Sequence, residues 1–183
     1  MSESVDWRAL ARKLDTISFT DGGWSERGGG NVAARALNLI IGENLAVGAV
    51  DFYLSHEPGR EVARSVLRML RPSSATERCL EIFRSDPDSE VASHAIELLR
   101  SISNSPVLEH FDELMASQNA NTRAWTMCVL DGLYMAGELE IEDGWSFLEI
   151  GLNDEDTGVV MQAERIKEMW ERDREILAKR VGI

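Results

Sequence analysis

The chain has 183 residues, 44% of them apolar, enough for a single domain with a core of its own. Acidic residues number 32 against 19 basic, a formal net charge of −13, so the outward field repels phosphate backbones and anionic headgroups and favours basic or neutral partners. Cys79 and Cys128 lie far apart with no Cys-x-x-Cys spacing, which argues against a zinc site or a disulfide framework and for two reduced thiols.

In chain order, the first residues lack a basic segment followed by an apolar core, so no secretory signal is read and a cytoplasmic protein is expected. A capping helix is predicted over residues 5–17, with Trp7, Leu10, Leu14 and Ile17 at helical spacing, in a leading unit taken as 1–20. A Gly-rich loop follows at 21–30, with Trp24 inside it. It lacks the Lys-Ser/Thr of a P-loop and a preceding strand, so it reads as a linker. The most apolar stretch, 36–54, is interrupted by Glu43, Asn44 and Asp51, and no membrane span or membrane partner is predicted.

From residue 31 the chain repeats itself. Five segments superimpose on the register residues Val32, Val62, Val91, Thr122 and Val159, at spacings of 30, 29, 31 and 37; the last is lengthened by an insertion between Tyr134 and Trp145. Four places on stand Ala36, Val66, Ala95, Thr126 and Ala163, and seven places on Leu39, Met69, Leu98, Val129 and Ile166. Small residues at one level and large ones at the next are what closely approaching helices need. Each of these first helices is followed by a second, predicted over 43–55, 75–84, 107–117 and 143–152, and the prolines at 58, 72, 87 and 106 punctuate the series. The expected fold is all-α: an α-solenoid of about five helical hairpins in one domain, with hairpins at 31–57, 58–87, 88–119 and 120–155 and a charged C-terminal capping helix at 156–183.

With Asp88 and Asp156 each three residues before the register valine, residues 30–170 resemble the HEAT-like (armadillo-type) repeat family. The resemblance implies the architecture. It also implies a range of uses: scaffolds, adaptors, toxin-neutralising immunity proteins, DNA glycosylases and metal-dependent hydroxylases. In that family the second helices of the hairpins line the concave groove.

A hydroxylase of this type needs repeated His-Glu pairs, and only His56-Glu57 occurs; no metal and no cofactor are expected. Asp88 reads as a helix cap rather than a ligand in the acidic run 86–90. Arg60, Arg64, Arg68 and Arg71 form a basic stripe on one helix. The other first helices carry only single arginines, so the stripe reads as a solvated face, and no nucleic-acid partner is expected.

Ten places before the register residues, Glu81, Asp112 and Glu149 form an acidic ladder on second helices, joined by Glu77, Glu109 and Glu113. Trp125 is the one aromatic in a column otherwise polar, and with Trp145 it is a candidate anchor, since binding energy concentrates in such side chains. These eight residues are the predicted partner-binding set, with no catalytic residue among them. The expected function is non-enzymatic binding of a basic partner protein through an acidic groove, as in an immunity protein that inhibits a toxin. The alternatives are an adaptor or scaffold, or a glycosylase-like repeat enzyme.

Overall fold

The computed structural model describes residues 17–20, 23–26 and 42–181. The first repeat helix and the body of the leading capping helix lie outside the described residues.

Ile17–Thr20 (β1) and Gly23–Glu26 (β2) pair antiparallel, Thr20 opposite Gly23 and Phe19 opposite Trp24. This corrects the expectation that a helix reaches Ile17 and that an unpaired loop holds Trp24. Between the strands the sequence places Asp21-Gly22, a dipeptide that two-residue hairpin loops favour.

The rest of the described chain is helical: α1 Glu43–Leu54, α2 Arg60–Leu70, α3 Ser73–Ser85, α4 Glu90–Ile102, a 3-10 turn Ser105–His110 continuing into α5 Phe111–Met115, α6 Ala120–Met135, α7 Ile141–Leu152 and α8 Thr157–Val181. Pro106 sits in the first turn of the 3-10 segment, and the helix predicted over 107–117 is accordingly split. Polar caps set three of the starts. Ser89 accepts from the Ala92 amide at 3.0 Å, Asn119 from the Asn121 amide at 2.9 Å, and Asp156 from the amides of Gly158 and Val159 at 2.8 and 3.2 Å. Asp88 does not cap α4. Its carboxylate accepts instead from the Gln118 amide at 2.8 Å and the Ser117 hydroxyl at 3.2 Å, stitching one interhelical turn to the next.

The even-numbered helices pack on one another in chain order, α2 on α4, α4 on α6 and α6 on α8. Each is backed by the odd-numbered helix before it, α2 by α1, α4 by α3, α6 by α5 and α8 by α7. The predicted columns four and seven places on close from α4 onward: Ala95, Leu98, Thr126, Val129, Ala163 and Ile166 are all buried, although the register residue Val91 is 49% exposed. In α2 they do not. Val62 and Met69 are 67% and 59% exposed, on a face that none of the described helices covers. Long-range polar contacts have a narrow spacing: among the described residues, hydrogen-bond partners more than ten apart in sequence are separated by 26 to 32 residues, except Tyr134 and Asp173, which are 39 apart.

The tightest approach is between α4 and α6, where a Cβ on Gly132 would collide with the Arg100 carbonyl oxygen. Gly132→Ala adds a methyl that backbone cannot avoid, so it is expected to cost about 2 kcal/mol despite alanine's better helix propensity. An unchanged urea midpoint would sink this reading of the contact.

Candidate functional site

Two layers of opposite charge result from this packing. The odd-numbered helices together with the 3-10 turn carry ten carboxylates and two arginines, a net −8, whereas the even-numbered helices carry nine carboxylates and eleven basic residues, a net +2. Neither figure is visible in the overall charge of −13.

On the acidic layer, Glu77 and Glu81 stand on α3, Glu109 on the 3-10 turn, Asp112 and Glu113 on α5 and Glu149 on α7, all six exposed. They are not equally available. Arg78 reaches from α3 to Asp51 on α1 at 2.9 Å and to Glu81 at 3.1 Å. Arg84 grips Glu113 with two hydrogen bonds of 2.8 and 2.7 Å, which hold that carboxyl below its ordinary range. Among the described residues the carboxylates of Glu77, Glu109, Asp112 and Glu149 have no hydrogen-bond or ion-pair partner, which leaves them open to an incoming cation. Trp145, on the same layer, is half-buried, with Arg174 from α8 stacked 5.2 Å above its ring and tied to Glu142 at 2.7 Å.

Two concavities lie on the other layer. A trough of about 750 Å³ crosses α2, α4, α6 and α8, and is lined by Arg64, Arg68, Arg71, Arg100, Asp131 and Met135 among others. A smaller hollow of about 280 Å³ shares Arg100, Asp131 and Met169 with it and adds Trp125, Cys128, Gln162 and Arg165. Of the eight predicted partner-binding residues only Trp125 lines either one. The acidic set and Trp145 lie on the odd-numbered helices instead.

The arginine stripe is therefore not simply a solvated face: its Arg64, Arg68 and Arg71 line the trough, and Arg100 of α4 and Arg165 of α8 extend the grouping. Sequence reasoning missed this grouping. The signal was available, because Arg71 and Arg100 both stand nine places after their register residues, and Arg68 and Arg165 both stand six places after theirs.

His56 and His94 meet edge to face at 4.8 Å, and the buried His94 Nδ1 has no hydrogen-bond partner. No group of three or more His, Cys, Asp or Glu side chains among the described residues could hold a metal ion. Cys79 is fully buried and its thiol is pushed well up by desolvation, which suits a core residue. No described helix is long and apolar enough to cross a membrane.

Comparison of the chain with protein-family models, with curated proteins and with solved structures yields no match in any of the three.

Proposed function

We propose that this chain is a non-enzymatic, cytoplasmic protein-binding module, an α-solenoid of HEAT-like hairpins that engages a basic partner protein through its acidic layer. The observation that carries the reading is the net −8 of the odd-numbered helices, with four exposed carboxylates that no basic side chain among the described residues neutralises. Polar contacts spaced 26 to 32 residues apart support the repeat character. An immunity protein that masks the basic substrate cleft of a toxin is the form that best fits such a surface, because opposed fields accelerate encounter and reject other partners. The contact is made by a face rather than a groove.

Three exposed carboxylates are the handle for testing it. With the product of the neighbouring reading frame as probe, the Glu77→Gln, Asp112→Asn, Glu149→Gln triple variant is expected to associate about tenfold more slowly at low salt, the difference shrinking as salt screens the field. Its melting temperature should hardly move, since all three side chains are exposed. Association that is insensitive to both salt and the triple substitution would remove the acidic layer from the function.

A further inference from the structure

We propose that the basic trough on the even-numbered helices is a second binding site, one that takes an acidic peptide segment of a partner protein bearing an apolar side chain between its carboxylates. Five arginines and one carboxylate line the trough and its adjoining hollow, a net +4 within a chain of −13. Two of these cations are already neutralised, Arg64 by Glu61 at 2.6 Å and Arg100 by Asp131 at 3.0 Å. Arg68 at one end and Arg165 at the other are exposed, with no hydrogen-bond or ion-pair partner among the described residues.

Arg71 is the member that most needs explaining. It ends α2 at φ 46°, a left-handed conformation that helix termini usually give to glycine, so a side chain here is held at a conformational cost. Its Nη2 donates to the Ser103 carbonyl at 2.6 Å, while its buried Nε has no acceptor. One hydrogen bond thus fixes a guanidinium that lines the trough, and its remaining Nη donors can meet a carboxylate there.

Beside the Arg100–Asp131 pair the lining also offers apolar side chains. Met135 is 71% exposed, Met169 is half-buried, and the half-buried Trp125 walls the smaller hollow. Thioethers adapt to varied side chains, and a tryptophan beside arginines is a common anchor for binding energy.

A nucleic acid fits less well. Its continuous charge would have to pass Asp131 near the shared part of the trough and would approach a molecule whose field repels it. A short segment carries fewer charges into that field and can set an apolar side chain rather than a carboxylate beside Asp131. The trough crosses four neighbouring helices, three interaxial steps of about 8–10 Å. That length accommodates about eight residues of extended chain at about 3.3 Å each.

The test uses the full chain and a fluorescein-labelled peptide Glu-Glu-Leu-Glu-Glu-Leu-Glu-Glu, read by anisotropy. Saturable binding is expected, and Arg68→Gln with Arg165→Gln should weaken it by about tenfold. Arg71→Gly should also weaken it while keeping or raising the melting temperature, because it relieves the left-handed backbone; a purely structural Arg71 would give the opposite pattern. Arg172→Gln, exposed on α8 outside the trough, should bind the peptide like the parent chain. So should the acidic triple variant, which keeps failure here distinct from failure of the acidic-face reading. No saturable binding, an equal loss in Arg172→Gln, or tighter binding of an oligothymidine of the same length would overturn the proposal. Self-association at low salt that Arg68→Gln and Arg165→Gln abolish would overturn it as well, by making a second copy the occupant.

Discussion

Trp170→Ala is expected to destabilise the fold by about 3–5 kcal/mol, the range for removing a fully buried aromatic side chain. Trp170 has no exposed surface and is among the largest fully buried side chains described. Its ring lies 5.7 Å from that of Tyr134 on α6 and 6.5 Å from that of Trp145 on α7, so one side chain of α8 joins three helices. The backbone has been cleared to receive it, since a Cβ on Gly144 would come within 2.6 Å of the ring edge. The indole Nε1 is buried with no hydrogen-bond partner. Trp170→Phe gives up no hydrogen bond and should recover most of the loss, leaving only a smaller cavity term. Urea unfolding followed by circular dichroism measures both. A midpoint for Trp170→Ala close to that of the parent chain would mean that α8 does not pack as described.

The second large effect is expected at Arg123. Its guanidinium donates to both carboxylate oxygens of Asp154 at 2.8 and 2.9 Å and to the Ser117 carbonyl at 2.8 Å, and both side chains of the pair are only 8% exposed. Arg123→Met strands a buried carboxylate, which costs about 3 kcal/mol or more. The cost is pH-dependent with a definite sign. Hydrogen bonding from Arg123 holds the Asp154 carboxyl below its ordinary range, so the stabilisation is fully present above the unfolded carboxyl value of about 3.9 and is lost as pH falls through the lower folded value. The stability gap between the parent chain and Arg123→Met should therefore be full at neutral pH, narrow as acid protonates the stranded carboxylate of the variant, and close below about pH 4. A gap that persists undiminished in acid would show that packing of the arginine stem, not the ion pair, supplies the difference.

Helical periodicity made most of the architecture readable before any coordinates. The even-numbered helices begin within a residue or two of where the register residues place them, because a column such as Ala95, Thr126 and Ala163 reflects one physical demand, close approach of neighbouring helices. Trp170 could have been read the same way. It continues the column eleven places after the register residue, following Ile102 and Leu133, both buried, but its surroundings in a charged helix disguised it. Arg123 was hidden because its position is filled by Ala63, Ala92 and Val160 in the other units, and a buried charge is intelligible only once Asp154 is seen to meet it.

The site was less legible than the fold. Glu81 and Glu113 looked as free as Glu77 and Asp112 in the sequence, and only the placement of Arg78 and Arg84 separates them. Arginines of the trough recur six and nine places after the register residues, but that they line a concavity shows only once the helices are packed.

The separation of charge between the two layers has a consequence for motion in solution. A body with −8 on one side and +2 on the other carries a permanent dipole across its thickness, superimposed on its net charge. An approaching charged surface therefore exerts a torque as well as a force, turning the molecule before contact and selecting which layer arrives first. Two copies meeting like side to like side repel, while copies meeting in tandem feel that repulsion offset. Orientation during encounter is thus written into the alternation of helices along the chain, independently of any single contact residue.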